Sequence, residues 1–332
     1  MSRAEFLEQL SEIFQTDKEL SFDTNLDSLE EWDSLSKITT LAFLDREFGI
    51  SLLVSDIEKF KTIEDIANAT GGGGDYVMID FDKKQIFIVT GASSGIGESS
   101  AILLNELGAS IIAIGRNQSR LDSMKAKCKN PQSVFLEQKD LAENIADLPN
   151  FVRNLKEKYG RFAGLAHCAG VSALCALRGT SYEYAKEIFD INYFAPLMLI
   201  KAVCDKRNNI GQGTAIVCIS SADARFGTKG QNVYAASKAA MCASVKSIAK
   251  EIAPLGMRIN ALLPSMIATP MTENQNIKEL EYNQIIHELS YPFGWGEPND
   301  VASMVCYLLS NRAKWLSGQN YVIDSGGGGG LG

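Results

Sequence analysis

A regular alternation of short apolar segments with helical segments begins after residue 84 and constrains the fold more than any other feature. The first apolar run, Gln85–Thr90 (QIFIVT), is followed by a helix-like stretch, Glu98–Leu107. Further strands are predicted at Ser110–Ile114, Gly164–His167, Thr214–Ile219, Arg258–Leu263 and Asn320–Ile323. Strands that alternate with helices form a parallel sheet covered on both faces. The predicted fold class is therefore α/β, with a doubly wound parallel sheet.

The first 70 residues follow a different pattern. Apolar residues recur at helical spacing in Ala4–Phe14, Leu35–Phe48 and Ile57–Ala67, which predicts a small all-α bundle of three helices. This segment holds 6 Lys/Arg and 16 Asp/Glu, a net charge of −10. Because the whole chain carries −8, the remainder carries +2. An acidic head on a nearly neutral body indicates two units with different partners.

A run of four glycines, Gly71–Gly74, separates the two patterns and is typical of a linker. We therefore predict a helical domain at 1–70, a linker at 71–77, a larger domain at 78–326 and a tail at 327–332. Met78 stands where a free-standing larger domain would begin. The same pattern leaves open that two separately encoded proteins are joined here.

Composition excludes several classes of protein. No apolar run approaches the roughly 20 residues that a membrane helix needs, and the charged N-terminus lacks a signal-peptide core. An acidic chain does not favour nucleic acid as a partner. The seven Cys show neither paired spacing nor a His cluster, so we predict no metal site and no disulfide framework. A reducing cytoplasm is the simplest compartment.

The first chemical motif lies between the first predicted strand and the first predicted helix. Thr90–Gly97 reads TGASSGIG, and its glycines allow a tight turn and close approach of the backbone to a pyrophosphate. The start of the following helix offers free N–H groups to the phosphates. A plain strand-to-helix turn is the alternative, but the position favours a dinucleotide site. The predicted contacts are Gly91, Ser93, Ser94, Gly95, Ile96 and Gly97.

The end of the second strand bears on the choice of cofactor. An acidic residue there would bind the ribose hydroxyls of NAD. The sequence instead reads Ile114-Gly115-Arg116-Asn117, so Arg116 is placed to contact a 2′-phosphate. We therefore predict NADP(H) rather than NAD(H), although a solvated surface Arg would look the same. Asp140, which follows the next apolar stretch, is a candidate adenine contact.

A second motif, Tyr234-Ala235-Ala236-Ser237-Lys238, predicts an acid–base pair. Positions i and i+4 of a helix share a face, so the phenol and the ammonium lie side by side. A free Tyr has a pKa of about 10, and a nearby positive charge lowers it. A proton donor tuned towards the working pH is what carbonyl reduction requires. A surface helix is the alternative interpretation of this string.

These motifs occur together with FDIN and ISS in an order that resembles the short-chain dehydrogenases/reductases, which have a Rossmann fold. The resemblance covers about Met78 to Gly326. It implies that Tyr234, Lys238, Ser221 and Asn192 form the catalytic set. Ser221 would orient the substrate, and Asn192 would hold a water in a proton relay. It also implies cofactor contacts from the side chains or backbone of Tyr234, Lys238, Ala169, Gly170, Ile267 and Thr269.

The sequence departs from this family pattern in two places. The usual Asn-Asn-Ala-Gly reads His167-Cys168-Ala169-Gly170, so Cys168 replaces the amide that braces the central strand. The usual Pro-Gly reads Pro264-Ser265, so we expect the loop near the nicotinamide to differ in shape. We expect His167 to be structural.

The helical head resembles an acyl carrier protein over residues 1–70. The resemblance depends on Glu31-Trp32-Asp33-Ser34-Leu35 and on the amphipathic helix that ends at Glu47-Phe48-Gly49-Ile50. It implies that Ser34 carries 4′-phosphopantetheine. The alternative is that Ser34 is an ordinary helix N-cap.

Together the two resemblances imply an NADPH-dependent reductase that converts a carrier-bound 3-oxoacyl thioester to the 3-hydroxyacyl thioester, a step of fatty acid biosynthesis. The alternative is a dehydrogenase for a sugar, a polyol or another small alcohol or ketone, with the carrier domain serving a different enzyme. A non-catalytic binding module is disfavoured by the complete set of Tyr, Lys, Ser and Asn. The family resemblance also implies a homo-oligomer, either a tetramer or a dimer.

Overall fold

The computed structural model describes residues 3–48, 50, 52–69, 79–273 and 291–327. The chain divides into two compact units, Met1–Met78 and Ile79–Gly332. The predicted linker at 71–77 lies outside the described residues, as does the predicted tail apart from Gly327. Within the described residues no helix is long and apolar enough to cross a membrane.

The first unit is helical. Its described helices are α1 (Arg3–Phe14), α2 (Ser34–Phe48), α3 (Val54–Ile57) and α4 (Ile63–Ala67), with a short 3-10 turn at Leu26–Ser28. They enclose an apolar core in which Leu10, Leu26 and Leu44 are fully buried. Burial of each such side chain stabilises the folded state by roughly 1.5–3 kcal/mol, which offsets the conformational entropy that so short a bundle loses on folding.

The prediction of one helix over Ile57–Ala67 was wrong, because this stretch forms two short helices. The residues between them pair with another part of the chain: Leu26 N–H donates to the carbonyl of Lys61 at 2.8 Å. Thr62 then begins a new helix by accepting a hydrogen bond from the Asp65 N–H at 3.3 Å. Ile57 and Ile63 both remain buried, which is why their spacing looked continuous.

The second unit contains a seven-stranded parallel sheet of order β3-β2-β1-β4-β5-β6-β7, which confirms the predicted fold. The strands are β1 (Ile86–Thr90), β2 (Ser110–Gly115), β3 (Val134–Gln138), β4 (Phe162–His167), β5 (Ala215–Ile219), β6 (Arg258–Pro264) and β7 (Asn320–Ile323). The third strand was not predicted as such, since its VFLEQ sequence has partly exposed side chains at an edge of the sheet.

Helices lie between the strands. Those described are α5 (Gly95–Glu106), α6 (Gln118–Lys127), α7 (Leu148–Tyr159), α8 (Tyr182–Phe189), α9 (Ala195–Val203), α10 (Asp223–Phe226), α11 (Asn232–Ile252), α12 (Pro270–Glu273) and α13 (Pro298–Leu309). A π-helical turn, Asp190–Phe194, joins α8 to α9. The second-unit core has two layers, because alternate strand residues such as Phe87 and Ile88 point to opposite faces of the sheet.

The order of the strands places a crevice between β1 and β4. The chain runs from β1 outwards to β3 and then returns to the other side of β1 with β4. The helices that follow β1 and β4 therefore leave the sheet towards opposite faces. Their loops separate at the carboxyl ends of the two strands, which is where ligands bind in open parallel sheets.

Candidate active site

The turn after β1 has a backbone that requires glycine. Gly91 has φ +66°, and a Cβ added to it would lie 2.8 Å from the backbone N of Ala169. A Cβ on Gly97 would lie 2.3 Å from the carbonyl O of Gly91. Side chains at either position would push the turn away from β4 or from the start of α5. The glycines of TGASSGIG are thus required by close backbone packing within the protein, between Gly91 and Ala169 and between Gly97 and Gly91.

The N-terminus of α5 faces the crevice. Ser94 occupies the N-cap position, and within the described part of the chain its side chain makes no capping hydrogen bond. The first N–H groups of the helix are left for another acceptor, and the helix dipole favours a negative charge there. Ser93, Ser94, Gly95 and Ile96 all line this cavity. The arrangement suits a phosphate group.

Two charged residues stand at one end of the cavity. Arg116 follows β2 and Asp140 follows β3, and both line the cavity. The Arg116 Nη1 lies 3.9 Å from the Asp140 Oδ2, and the Arg116 side chain is 68% exposed. The guanidinium therefore keeps most of its donors available for an anion. The Asp140 Oδ1 accepts from the Ala142 N–H at 2.9 Å, which fixes the carboxylate at the mouth.

Tyr234 and Lys238, both on α11, line the same cavity together with Ser221 from the end of β5. The Lys238 Nζ donates to the carbonyl O of Ile219 at 2.9 Å and lies 5.8 Å from the centre of the Tyr234 ring. The Ser221 side chain lies close enough to Tyr234 to lower the pKa of its phenol, in opposition to burial. Phenol, hydroxyl and ammonium are thus brought together as the spacing predicted.

The electrostatics of this group differ from the expectation from sequence. Burial raises the pKa of Tyr234 to about 12, against which the Ser221 hydrogen bond acts, while the charge of Asp223 reinforces it. Burial also lowers the pKa of Lys238 to about 8. We expected a Tyr pKa below the usual value. In the protein alone the cost of burying a phenolate exceeds any benefit from the ammonium. Tyr234 consequently holds its proton firmly.

Asn192 lies in the π-helical turn and is 2% exposed. Its Oδ1 accepts from the Val171 N–H at 3.0 Å, and its Nδ2 donates to the Val171 carbonyl O at 3.0 Å and to the Ser237 Oγ at 3.1 Å. The amide thus clamps the segment after β4 to α11. A π-turn is unfavourable in itself and occurs mostly at functional sites. These bonds use both Nδ2 hydrogens, whereas the Oδ1 keeps a second lone pair that can accept from a water of the expected proton relay.

The departure at His167-Cys168 is compensated locally. The Thr90 Oγ1 accepts from the backbone N–H groups of Cys168 and Ala169, each at 3.1 Å. It also lies 2.9 Å from the His167 Nδ1. The end of β4 is therefore braced by the β1 hydroxyl, without the amide that we expected to be needed. Sequence reasoning missed the role of Thr90, although its position directly before Gly91 was a usable signal.

The loop after β6 closes the third side of the cavity. Ser265, which stands where the family has Gly, donates its N–H to the Ile323 carbonyl O at 2.9 Å and shares a hydrogen bond with the Tyr291 hydroxyl at 2.8 Å. Ile267 and Thr269 line the cavity, and the Thr269 methyl lies 3.1 Å from where a Cβ on Gly95 would be. The Ser at 265 is accommodated by specific hydrogen bonds.

One cavity therefore unites the predicted cofactor residues with three of the four predicted catalytic residues. Asn192 lies beside it, in contact with Val171. Sequence reasoning missed several lining residues, since they carry no recognisable motif: Lys139, Leu141, Ala142, Val171, Ile191, Met271 and Thr272.

Ser34, in the first unit, is exposed at the start of α2. The helix is capped by the preceding residue: the Asp33 Oδ1 accepts from the N–H groups of Leu35 and Ser36, both at 2.9 Å. These bonds lower the pKa of Asp33, that from Ser36 most. Since Asp33 fills the capping role, the N-cap interpretation of Ser34 loses its basis.

The depressed pKa of Lys238 makes stability depend on pH in a definite direction. In the unfolded chain Lys238 has a pKa of 10.5, and in the folded protein about 8. Between these values the unfolded chain binds more protons, so the Lys238 contribution to the free energy of unfolding rises with pH. The slope is at most about 1.4 kcal/mol per pH unit. Subtracting the free energy of unfolding of Lys238→Met from that of the wild type should give a difference that grows between about pH 8 and pH 10.

Denaturant titrations of the full chain at several pH values measure this difference. Lys250→Met is the matched control, because Lys250 is exposed on the same helix; its difference should stay flat. A flat difference for Lys238→Met would mean that the ammonium is not destabilised by burial.

Comparison with known proteins supports this description of the second unit. The structure of a short-chain dehydrogenase/reductase from Mycobacterium ulcerans superposes with a TM-score of 0.68 at 26% identity, over 75% of this chain and 91% of that one. A family model described as enoyl-(acyl carrier protein) reductase matches residues 91–327. The matched region contains the whole crevice from Gly91 onwards.

Curated relatives match the same region. The chain is 30% identical over 252 residues to the 3-oxoacyl-[acyl-carrier-protein] reductase FabG of Thermotoga maritima, covering 73% of this chain and 97% of the relative. It is 33% identical over 253 residues to the protein of the same name from Rickettsia conorii, covering 75% and 98%. On this evidence, and on the site geometry, the chain is an oxidoreductase that belongs to the short-chain dehydrogenase/reductase family.

Proposed function

We propose that this chain reduces a carrier-bound 3-oxoacyl thioester to the 3-hydroxyacyl thioester with NADPH. The observation that carries the proposal is the convergence of Tyr234, Ser221 and Lys238 with the glycine turn in one cavity. The relatives named as 3-oxoacyl-[acyl-carrier-protein] reductases supply the substrate class, as they match over almost their whole length.

The residues of the crevice fit a dinucleotide. The glycine turn leaves no room for side chains, the N-terminus of α5 faces the cavity, and Arg116 keeps an exposed guanidinium at one end. Arg116 would hold a 2′-phosphate, which selects NADP(H) over NAD(H). When bound, the nicotinamide supplies the hydride for the substrate carbonyl carbon. Ser221 follows β5 and Arg116 follows β2, on opposite sides of the β1–β4 pair, which suits an extended cofactor.

Tyr234 acts as the proton donor to the carbonyl oxygen. Burial raises its pKa to about 12, so the phenol is protonated throughout the neutral range, and a positive charge beside it has to offset this effect for the proton to be transferred. Ser221, which lines the same cavity, holds the same carbonyl oxygen beside the phenol. Lys238 lies next to the ring and stabilises the phenolate that remains after transfer. The reverse reaction uses Tyr234 as the base.

The first unit is proposed to be a carrier domain at 1–70, joined by a linker at 71–77 to the reductase domain at 78–326. Ser34 is exposed at the start of α2 and Asp33 caps the helix, so the Ser34 hydroxyl is accessible to a transferase. Phosphopantetheine attached there would hold the acyl thioester. The net charge of −10 over residues 1–70 is typical of such a domain.

The substrate class is tested by following NADPH oxidation with the full chain. We expect turnover with an acetoacetyl thioester. A panel of sugars, polyols and simple ketones tests the alternative dehydrogenase function. A crotonyl thioester tests reduction of a double bond, which the description of the matching family model favours. Faster turnover of crotonyl thioester or of any sugar would contradict the proposal.

Tyr234→Phe in the same assay tests the donor. Loss of the phenolic proton should lower kcat by about 10²–10⁴-fold while NADPH binding, measured by fluorescence titration, stays close to wild type. Tyr159→Phe is the matched control, because that hydroxyl bonds the Glu137 Oε1 at the edge strand, away from the cavity. Comparable kcat for Tyr234→Phe and wild type would end the assignment.

Arg116→Ala tests the choice of cofactor. Removing a guanidinium that bonds a phosphate should raise the KM for NADPH roughly tenfold or more and leave the KM for NADH nearly unchanged. Arg120→Ala, at an exposed position on α6, is the control and should change neither value. Equal effects of Arg116→Ala on both cofactors would show that the residue does not recognise the 2′-phosphate.

Ser34→Ala tests the carrier assignment. Incubation of the wild-type chain with coenzyme A and a phosphopantetheinyl transferase should add the mass of one phosphopantetheine group, detected by intact-protein mass spectrometry. Ser34→Ala should abolish the addition. Ser28→Ala should not, because Ser28 lies in the 3-10 turn, where its Oγ donates to the Asn25 carbonyl O at 2.6 Å. Modification of Ser34→Ala would place the attachment elsewhere.

A further inference from the structure

His167 is a buried imidazole at the carboxyl end of β4, with 2% of its surface exposed. In the sheet it pairs with Thr90 of β1 on one side and with Cys218 of β5 on the other. It therefore stands at the centre of the sheet, one residue before the turn that lines the crevice. A histidine costs free energy to bury unless its polar atoms are used.

The hydrogen bonds of the Thr90 hydroxyl determine the state of this histidine. A hydroxyl has one hydrogen and two lone pairs. The N–H groups of Cys168 and Ala169 both donate to the Thr90 Oγ1, at 3.1 Å each, and occupy the two lone pairs. The third contact, to the His167 Nδ1 at 2.9 Å, must then be the one in which Thr90 donates.

His167 is consequently neutral, with Nδ1 as an acceptor and its proton on Nε2. The Nε2 is buried and has no hydrogen-bond partner among the described residues. Burial, reinforced by the charge of Lys238 and opposed by the Ala169 backbone, lowers the pKa of His167 to about 3. The imidazole is thus unsuited to proton transfer near neutral pH, but it is a permanent acceptor for Thr90.

The turn held in this way contacts both ends of the active site. The backbone N of Ala169 lies 2.8 Å from where a Cβ on Gly91 would be, so it packs directly on the glycine turn. A Cβ on Gly170 would lie 3.1 Å from both the Asn192 Oδ1 and the Lys238 Nζ. A small shift of this turn would therefore displace cofactor-contacting backbone and disturb the ammonium at once.

We propose that His167 is a positioning residue, which orients the Thr90 hydroxyl so that it locks the Ala169–Gly170 turn between the cofactor turn and Lys238. The role in cofactor binding rests on the proposed function; the locking of the turn does not. Without an acceptor at position 167, the hydroxyl hydrogen of Thr90 has no partner in the core. The hydroxyl then turns towards another acceptor and leaves the geometry in which it accepts from the two N–H groups.

Three variants test the proposal in the full chain. His167→Leu places a methyl where Nδ1 was and removes the acceptor; we expect the KM for NADPH to rise roughly tenfold, with a smaller change in kcat. His167→Asn keeps an oxygen acceptor near the δ position and should restore most of the affinity. Thr214→Val is the control, because Thr214 Oγ1 is buried and has no hydrogen-bond partner among the described residues; it should change neither value.

A double-mutant cycle with Thr90→Val identifies the interaction. If His167 acts through the Thr90 hydroxyl, His167→Leu combined with Thr90→Val binds NADPH no more weakly than Thr90→Val alone. Additive losses would overturn the proposal. A defect in His167→Asn as large as that in His167→Leu would overturn it as well.

Hydrogen exchange without dinucleotide separates this inference from the proposed function. His167→Leu should speed exchange of the Cys168 and Ala169 amides and leave the amides of β6 close to wild type. Unchanged exchange at Cys168 and Ala169 would overturn the positioning role even if NADPH binds to the wild type as proposed. Failure of the wild type to bind NADPH, with faster local exchange in the variant, would overturn the proposed function alone.

Discussion

The parallel pairing of β1 with β4 is the constraint on which the active site depends. It sets Thr90 beside His167, so the glycine turn and the Ala169–Gly170 turn leave the sheet at the same edge. The distance between these turns is too short for side chains, because Gly91 would clash with Ala169 if it carried a Cβ. Backbone packing at one strand pair thus fixes where a phosphate can approach and where Lys238 can lie.

Burial at this edge is costly and is offset by specific hydrogen bonds. Lys238 is 5% exposed, and its ammonium donates to the Ile219 carbonyl O. Its pKa falls to about 8, and that of Tyr234 rises to about 12, since burial disfavours the charged form of each. A neutral phenol beside a cation is the state that donates a proton to a substrate. Burial alone therefore makes Tyr234 a weaker donor, and the positive charge beside it is what favours release of the proton.

Much of the fold and of the active-site cavity could be predicted from the sequence, because the motifs and the strand–helix alternation that indicate them are local. The strand-helix alternation gave the parallel sheet, and TGASSGIG and YAASK placed residues that share one cavity. Pairing between distant segments could not be predicted. The break between α3 and α4 depends on the Leu26 N–H reaching Lys61, and periodicity in one segment carries no information about its partner.

The site departures show the same limit. Replacement of the family amide by Cys168 suggested weaker bracing, but the brace is a hydroxyl 78 residues earlier in the chain, Thr90, which bonds the Cys168 backbone regardless of its side chain. In the protein without cofactor, burial raises the pKa of Tyr234, and the sequence shows the neighbouring cation but not the depth of burial. The sequence shows which side chains are present, but not how deeply they are buried or which distant residues they contact.

The proposed pairing of carrier and reductase in one chain has a physical consequence for recognition. In such a pairing, covalent attachment raises the effective concentration of one unit for the other, so productive encounters need little intrinsic affinity. Charge on α2 contributes little to binding of a partner, because Lys37 and Arg46 balance Asp45 and Glu47 on this helix, although residues 1–70 as a whole carry −10. Besides Asp33, the exposed side chains near Ser34 include two apolar ones, Leu35 at 67% and Ile38 at 58% exposure. A partner that binds α2 at these side chains would bury apolar area and respond weakly to salt, unlike a basic surface that binds an acidic helix.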